Sequence, residues 1–511
     1  MRTEDLIAIL PEAILTGVGT LVMLLAAFLK KGKEQWCATT SLLGLAAAAI
    51  AVIYQWRQQG PAFEEMIVVD PFSLFFHLLF LLIAALVALS SLPYLRQERL
   101  AIGEFYALLL FATAGMDLMV SGNDLIVIFI GLEISSVASY VLVGFRRNSV
   151  TSSEAALKYF LLGSFATAFL LYGIALLFGA TGTTRLTQIR EVLRGGLHPV
   201  TAANPAGDIL AGSTSVQPVL AQLTGPLPTT LLALAIALIL VGLGFKVAAA
   251  PFQVWAPDVY QGAPTPVTAF LSTGPKAAAF AVALRVFMVA LESSASQWSA
   301  LFWICGSLSM FVGNLAALWQ TNIKRLLAYS SIAHAGYILV AFTAHSSEGV
   351  AAVMFYLVAY ALMNLGAFVV VSHLGNRGER YVEVEDYCGL GYRSPLLAAW
   401  LSIFLLSLIG IPLTGGFLGK FYVFRAALRA DLIWLTVFGV LNSGIAAYYY
   451  LRVLVAMYMS NPTREVPVEP VPLGVGCVLA VCGIGTLLLG VLPDPVLHLA
   501  AQSAQWLQGR L

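Results

Sequence analysis

The sequence predicts an all-α polytopic membrane protein with about fourteen transmembrane helices. Two observations carry that prediction. Apolar residues make up 59% of the 511 and charged residues only 10%, where a soluble domain carries about 25% charged; mean hydropathy is +0.88. The apolar residues also fall in continuous runs such as LLALAIALILVGLGF at 231–245, whereas a membrane β-barrel shows alternating segments of about ten residues. Charge sharpens the picture. The 27 basic and 26 acidic residues leave a net charge of +1, with no basic surplus to meet phosphates, so lipid is an expected partner and nucleic acid is not.

A span needs about 20 apolar residues. Candidate segments run over 5–29, 36–56, 68–94, 101–120, 123–145, 154–180, 228–252, 264–290, 298–319, 324–344, 348–373, 394–428, 431–459 and 471–498. Several exceed one straight crossing, which predicts tilt or a break. The start MRTEDLIAILPEAIL carries acids and a proline where a cleavable signal has a basic end, so segment 1 is expected to stay as a span. The connection 181–227 is the one long loop, and 461–472 reads as a semi-rigid Pro/Glu linker. Nothing resembles a soluble domain. The whole of 1–511 reads as one membrane domain.

Loop charge sets an orientation. Thirteen lysines and arginines follow odd-numbered segments, among them Lys30, Lys31, Lys33, Arg146, Arg147 and Arg464, against seven on the other side, including Arg2 and Arg510. Basic residues mark the cytoplasm, so both termini are expected outside. The five cysteines form no CxxC pair and no Cys/His cluster, and there is no GxGxxG or Walker loop. No cofactor or metal is expected in this chain.

The informative residues are ionisable groups inside the apolar segments. Four of eight lysines lie there: Lys158, Lys246, Lys276 and Lys420. Such a group at mid-membrane costs roughly 2.5–3.5 kcal/mol on insertion scales. Buried lysine can exchange a proton near neutral pH and arginine cannot, so a file of lysines suggests a proton path. Glu133, in the middle of segment 5, is the expected partner of one of them, with a static salt bridge as the alternative. Lys246 is followed by Pro251 and Pro257. Proline breaks a helix, and a break at membrane depth needs water or protein to satisfy the freed groups. Lys276 lies near the centre of segment 8 after Gly274-Pro275, with Ser272 and Thr273 as candidate hydroxyls for a water chain.

His334 follows Ser330 and Ser331 by four and three residues, so the three share a helix face suited to a proton relay. Lys420 follows Pro412 and Gly410, Gly415, Gly416 and Gly419, which mark a second broken helix. Segments 7 and 12 are thus both interrupted. A pair of interrupted segments in corresponding halves points to inverted repeats, here two five-helix repeats at 101–290 and 298–459, with three N-terminal helices in 1–94 and a C-terminal helix at 471–498. Lys158 has a simpler account, since Glu154 precedes it by four residues in the order of a helical ion pair. Arg285 is expected to snorkel from its segment end. Asp117 and Asp258 are expected at interfaces or caps.

GLEISSVASYVLVGF, SSEAALKYFLLGSFATAFLLYGIAL, FKVAAAPFQVWAPDVYQGAPTPVTAFLSTGPKAAAF, IKRLLAYSSIAHAGYIL and LIGIPLTGGFLGKFYVF resemble the antiporter-like membrane subunits of respiratory complex I, within them the bacterial subunit N (subunit 2) family. The resemblance implies proton-transfer roles for Glu133, Lys246 and Lys276, for Lys420, and for Lys158 and His334 on a polar axis. It implies FMN, iron–sulfur clusters and quinone in other subunits, membrane and peripheral NDH-1 subunits as partners, and a bacterial inner membrane location. Three alternatives share the fold or its lysines: a multisubunit cation/proton antiporter, a membrane-bound hydrogenase subunit, and a structural or relay subunit that passes no proton.

Overall fold

The computed structural model describes residues 3–29, 33–195, 229–462 and 466–509. Arg2, Lys30, Lys31, Arg464 and Arg510, which enter the loop-charge count, lie outside the described residues, as does 196–228, most of the long connection. Helices are numbered by span. They are α1 (Leu10–Phe28), α2 (Gln35–Gln55), α3 (Pro71–Glu98), α4 (Ile102–Ser121), α5 (Leu125–Val143) and α6 (Val150–Thr181). Then come α7a (Thr229–Val247) with α7b (Ala256–Gly262), α8 (Thr265–Arg285), α9 (Ala295–Leu318), α10 (Ile323–Thr343) and α11 (Ser347–Leu374). The chain ends with α12a (Pro395–Ile409) and α12b (Gly415–Arg429), α13 (Ile433–Met459), α14 (Leu473–Val491) and α15 (Asp494–Gly509).

Among the described residues, thirteen helical stretches are long and apolar enough to cross a membrane. The fourteenth expected span is α12, whose two halves have 15 residues each. Both fall short of the roughly 20 residues of an unaided crossing. The last expected segment, 471–498, is two helices, because Pro493 interrupts the helical hydrogen bonds between α14 and α15. A short hairpin, β1 (Gly60–Ala62) with β2 (Ile67–Val69), was not expected. Its three-residue strands are too brief for an alternation to register. Ile67 also bridges Gly122, which ties the hairpin to the end of α4.

Burial ranks the helices. In α8, α10 and α11 94% of the spanning window is buried inside the chain, against 28% in α1 and 39% in α6 and α14. The first three form the centre of the bundle and the others present Leu, Ile and Phe outward.

Two tight hairpins, α4–α5 and α9–α10, use the same device. A Cβ on Gly115 would come within 2.7 Å of Gly131 O, and one on Gly131 within 2.8 Å of Gly115 O. A Cβ on Gly313 would meet Ala333 N at 2.6 Å, and one on Gly336 would meet Gly306 O at 2.8 Å. Small residues of this kind let helix backbones touch, and in lipid that packing replaces the hydrophobic driving force.

One carboxylate knots together one end of the bundle. Glu379, in the turn after α11, accepts from Tyr94 OH at 2.8 Å on α3 and from Thr265 N at 2.7 Å at the start of α8. It pairs with Lys324 Nζ at 2.8 Å at the start of α10 and with Arg146 at 3.3 Å after α5. Burial works against its charged form, but Lys324, the Thr265 hydroxyl and Arg146 outweigh burial and hold the carboxyl below its ordinary 4.5.

Candidate functional site

The two interrupted helices form as the sequence dictates. In α7 the break runs from Ala248 to Pro251, with Ala248 at φ +57° and a cis Ala250–Pro251 bond, followed by a 3-10 turn over Phe252–Trp255. Protein groups satisfy the freed backbone. Trp255 Nε1 donates to Phe245 O at 3.0 Å, and Ala250 N donates to Ser309 Oγ at 2.8 Å. In α12 the break runs over 410–414. Gly410 sits at φ +94°, a conformation that a side chain resists. A Cβ on Gly416 would lie 1.9 Å from Ser407 O, so only glycine fits there.

Lys246 lies in the last turn of α7a. Its ammonium donates to Ser136 Oγ at 2.6 Å and to Tyr140 OH at 3.4 Å, both on α5. It lies over the Tyr140 and Tyr159 rings at 5.3 and 5.9 Å. Glu133 is one turn before Ser136, half-buried, with Oε1 buried and unbonded. No ion pair within 4.0 Å joins it to Lys246 among the described residues. The expected direct pair is therefore corrected. Ser136, three residues along the same helix face, holds the ammonium.

Lys276 is almost fully buried on α8 and donates to Ser331 O at 2.8 Å and Ser331 Oγ at 2.5 Å on α10. Between it and Lys246 runs an aromatic floor. Tyr159 stacks on Trp255 at 4.6 Å, and Trp255 meets Tyr260 edge-on at 6.0 Å. The hydroxyls of Tyr260 and Tyr360 are buried with no protein partner, which leaves them open to water. The Ser272 and Thr273 hydroxyls turn back to Ala269 O, at 2.9 and 2.8 Å, because a hydroxyl in a helix readily bonds the preceding turn, and Ser272 Oγ also accepts from Asn364 Nδ2 at 2.8 Å.

His334 sits beyond Ser331 on α10, fully enclosed. Nδ1 is 2.7 Å from Tyr356 OH on α11, and Nε2 is 3.3 Å from Tyr450 OH on α13. Ser330 Oγ also bonds Tyr450 OH. Lys420, on α12b, donates to Leu408 O at 3.1 Å, Ile409 O at 2.9 Å and Ser443 Oγ at 2.8 Å, and lies 4.6 Å from the Tyr337 ring centre. Tyr337 in turn accepts from Asn314 at 3.2 Å. The structure thus places Lys246, Lys276, His334 and Lys420 inside the bundle, and three of them beside hydroxyls that the sequence did not single out: Ser136 and Tyr140 at Lys246, Tyr356 and Tyr450 at His334, and Ser443 at Lys420. Each is a common residue on a mostly apolar helix, and only its partner across the bundle gives it meaning.

The chain carries the sequence signature of this architecture. A family model described as NADH:quinone oxidoreductase/Mrp antiporter, transmembrane region, matches residues 122–446. The chain is 50% identical to NADH-quinone oxidoreductase subunit N 1 of Solibacter usitatus, over 98% of this chain and 97% of that one. It belongs to the subunit N family of NADH-quinone oxidoreductases. Subunit N of Trichlorobacter lovleyi is 44% identical over 99% and 98% of the two chains. A chain of respiratory complex I from Thermus thermophilus superposes with a TM-score of 0.77 at 38% identity, covering 96% of this chain and 99% of that one. A chain of the Mrp complex from Dietzia shares the fold, at a TM-score of 0.82 with 20% identity over 100% and 98% of the two chains.

Seen against the subunit N fold, three residues stand elsewhere than expected. Lys158 is apart from the buried line: its side chain is 41% exposed and pairs with Glu154 at 2.8 Å, as its spacing predicted, and with Asp258 at 2.7 Å. Asp258 also pairs with Arg325 at 2.6 Å, so it is a hub between α6, α7b and α10. Arg285 does not snorkel. It is fully buried and grips Asp70 through two bonds of 2.9 and 2.7 Å, because α8 is central and the carboxylate capping α3 is within reach. Asp117 is neither interfacial nor a cap. It is fully buried, and both its carboxyl oxygens lack a partner.

Proposed function

We propose that this chain is a proton-translocating membrane subunit of a bacterial NADH:quinone oxidoreductase. It works in the inner membrane with both termini on the periplasmic side. Electron transfer from NADH through FMN and iron–sulfur clusters to quinone belongs to the partner subunits in this reading. The observation that supports it is the set of amines inside the bundle, Lys276 and Lys420 buried and Lys246 half-buried, each bonded to hydroxyl or carbonyl oxygens of neighbouring elements.

The chemistry follows from donor counts. An ammonium has three donors. Two are accepted at Lys246 and two at Lys276, while all three are accepted at Lys420. In this reading the remaining donor of each of the first two is left for water, which takes the proton. A shift in the field along the bundle, or a movement of Glu133, changes how tightly Lys246 holds its proton. That proton passes to Lys276, then through Ser331, Ser330, Tyr450 and His334 toward Lys420. Two five-helix repeats, 101–290 and 298–459, give each half one interrupted helix and one glycine-packed hairpin, which supports this reading.

The test is Lys246→Ala in the assembled complex. Protons moved per electron should fall while NADH oxidation by quinone continues in uncoupled membranes. An unchanged ratio would sink the conducting role and leave a relay or structural subunit.

A further inference from the structure

A second set of enclosed acids lies outside the lysine line. Glu12 on α1 is about nine-tenths buried and Asp117 on α4 fully so, and none of their four carboxyl oxygens has a hydrogen-bond partner in the protein. His77 on α3 lies between them. Its Nε2 is 3.1 Å from Asp117 O, 2.8 Å from Ser121 Oγ and 4.0 Å from Glu12 Oε1, while Nδ1 is buried and unbonded. The charged neighbours are Arg285 and Asp70, which pair through Arg285 Nη2, while Arg285 Nε donates to Val120 O and Nη1 is buried without a partner. From α2 comes only the neutral Gln55, which clamps Ile7 O and Ala8 O at 2.7 and 3.0 Å above Glu12.

Two further observations place this cluster. A cavity of about 440 Å³ lies at the start of the chain's first helices, bordered by Ile7 and Ala8, one turn before Glu12 in sequence, and by Val69, next to Asp70. On the inner side, Met116 adjoins Asp117 and lies 3.3 Å from where a Cβ on Gly274 would sit, two residues from Lys276. Unpaired buried carboxyls are tolerated as neutral acids and as hosts for water. A group that is neutral at rest and stranded when ionised is suited to accepting and releasing one proton.

We propose that Glu12, Asp117 and His77 form a proton-exchange station between Lys276 and the 440 Å³ cavity. The inference rests on the proton-translocating reading and adds a branch to it. The ammonium of Lys276 gives one H⁺ through water to an ionised Asp117, leaving a neutral amine and a neutral acid. That acid, or Glu12 after a second transfer by way of His77, gives the H⁺ to water in the cavity. No bond other than O–H and N–H forms or breaks.

The experiment uses the assembled complex with Asp117→Asn, Glu12→Gln and Lys246→Ala. Protons per electron should fall in the first two to the level of the third. Infrared difference spectra on adding NADH should lose a carboxylic C=O band in Asp117→Asn or Glu12→Gln, and Asp117→Glu should restore part of the pumping. Normal pumping in Asp117→Asn and Glu12→Gln, with Lys246→Ala impaired, overturns the station and leaves the general reading standing. If Asp117→Asn does not assemble, Glu12→Gln on the less buried α1 decides by itself, and an unchanged band and ratio there also overturn the proposal. Normal pumping in Lys246→Ala strikes the general reading instead.

Discussion

The two interrupted helices place the same residue on opposite sides of the gap. Lys246 precedes its break, in the final turn of α7a, whereas Lys420 follows its break, in the second turn of α12b. That order decides what holds each amine. Lys420 reaches back to the carbonyls of Leu408 and Ile409, the exposed C-terminal end of α12a, where the helix dipole favours a cation. Lys246 has no such carbonyls. The corresponding groups of α7a are taken by Trp255 and by the turn itself, so Lys246 depends on Ser136 and Tyr140. One lysine belongs to the structure of its break. The other is only perched beside its break, which leaves its charge free to respond. In the proposed function, the amine that mends a helix and the amine that answers a signal are therefore different residues.

The largest expected effect sets the scale for a charge that is purely structural. Arg285→Ala should lower the stability of the chain by about 3–5 kcal/mol, because Asp70 is left charged and enclosed. It would show as a reduced melting temperature of the purified complex. Next, Lys420→Ala strands the Leu408 carbonyl, while Ser443 still bonds that of Ile409, and should cost about 1–3 kcal/mol. Lys246→Ala, with its break already satisfied, should cost less than half as much while harming pumping more. Equal melting shifts for the two would break the comparison. Ser136→Ala should sharpen it: stability changes by about 1 kcal/mol, and the pH at which pumping is half-maximal should move, because Lys246 keeps only the long bond to Tyr140.

The smallest effect concerns the Glu379 knot. Its carboxyl is held below the ordinary 4.5, so its contribution to stability is present above that pH and is lost as pH falls through the lowered folded value. Melting temperature against pH should therefore drop on the acid side of about 4.5. Glu379→Gln should flatten that drop and lower the plateau at neutral pH, and an unaltered curve would contradict the sign.

Much of this could be read from the chain before its fold was known. Span number, both breaks and the amines of the central line follow from apolar runs punctuated by Lys, Pro and Gly, since each lysine there is costly enough to stand out. Arg285 and Asp117 were misjudged for one reason. Closeness to a segment end gives exposure only if the helix is peripheral, and neither α8, 94% buried over its span, nor α4, 78% buried, is peripheral. The Asp70–Arg285 grip joins residues 215 positions apart, which no local pattern encodes. Glu12 and Asp117 each look like ordinary terminal acids. The overlooked clue was His77, a polar ring inside PFSLFFHLLFLL.

The glycine contacts of α4–α5 and α9–α10 have a mechanical consequence. Backbones that touch cannot slide past one another by even a methyl group without colliding, so each hairpin behaves as a stiff slab. Bending of the bundle is therefore expected at the interrupted helices, at Ala248 in α7 and Gly410 in α12, rather than within the hairpins.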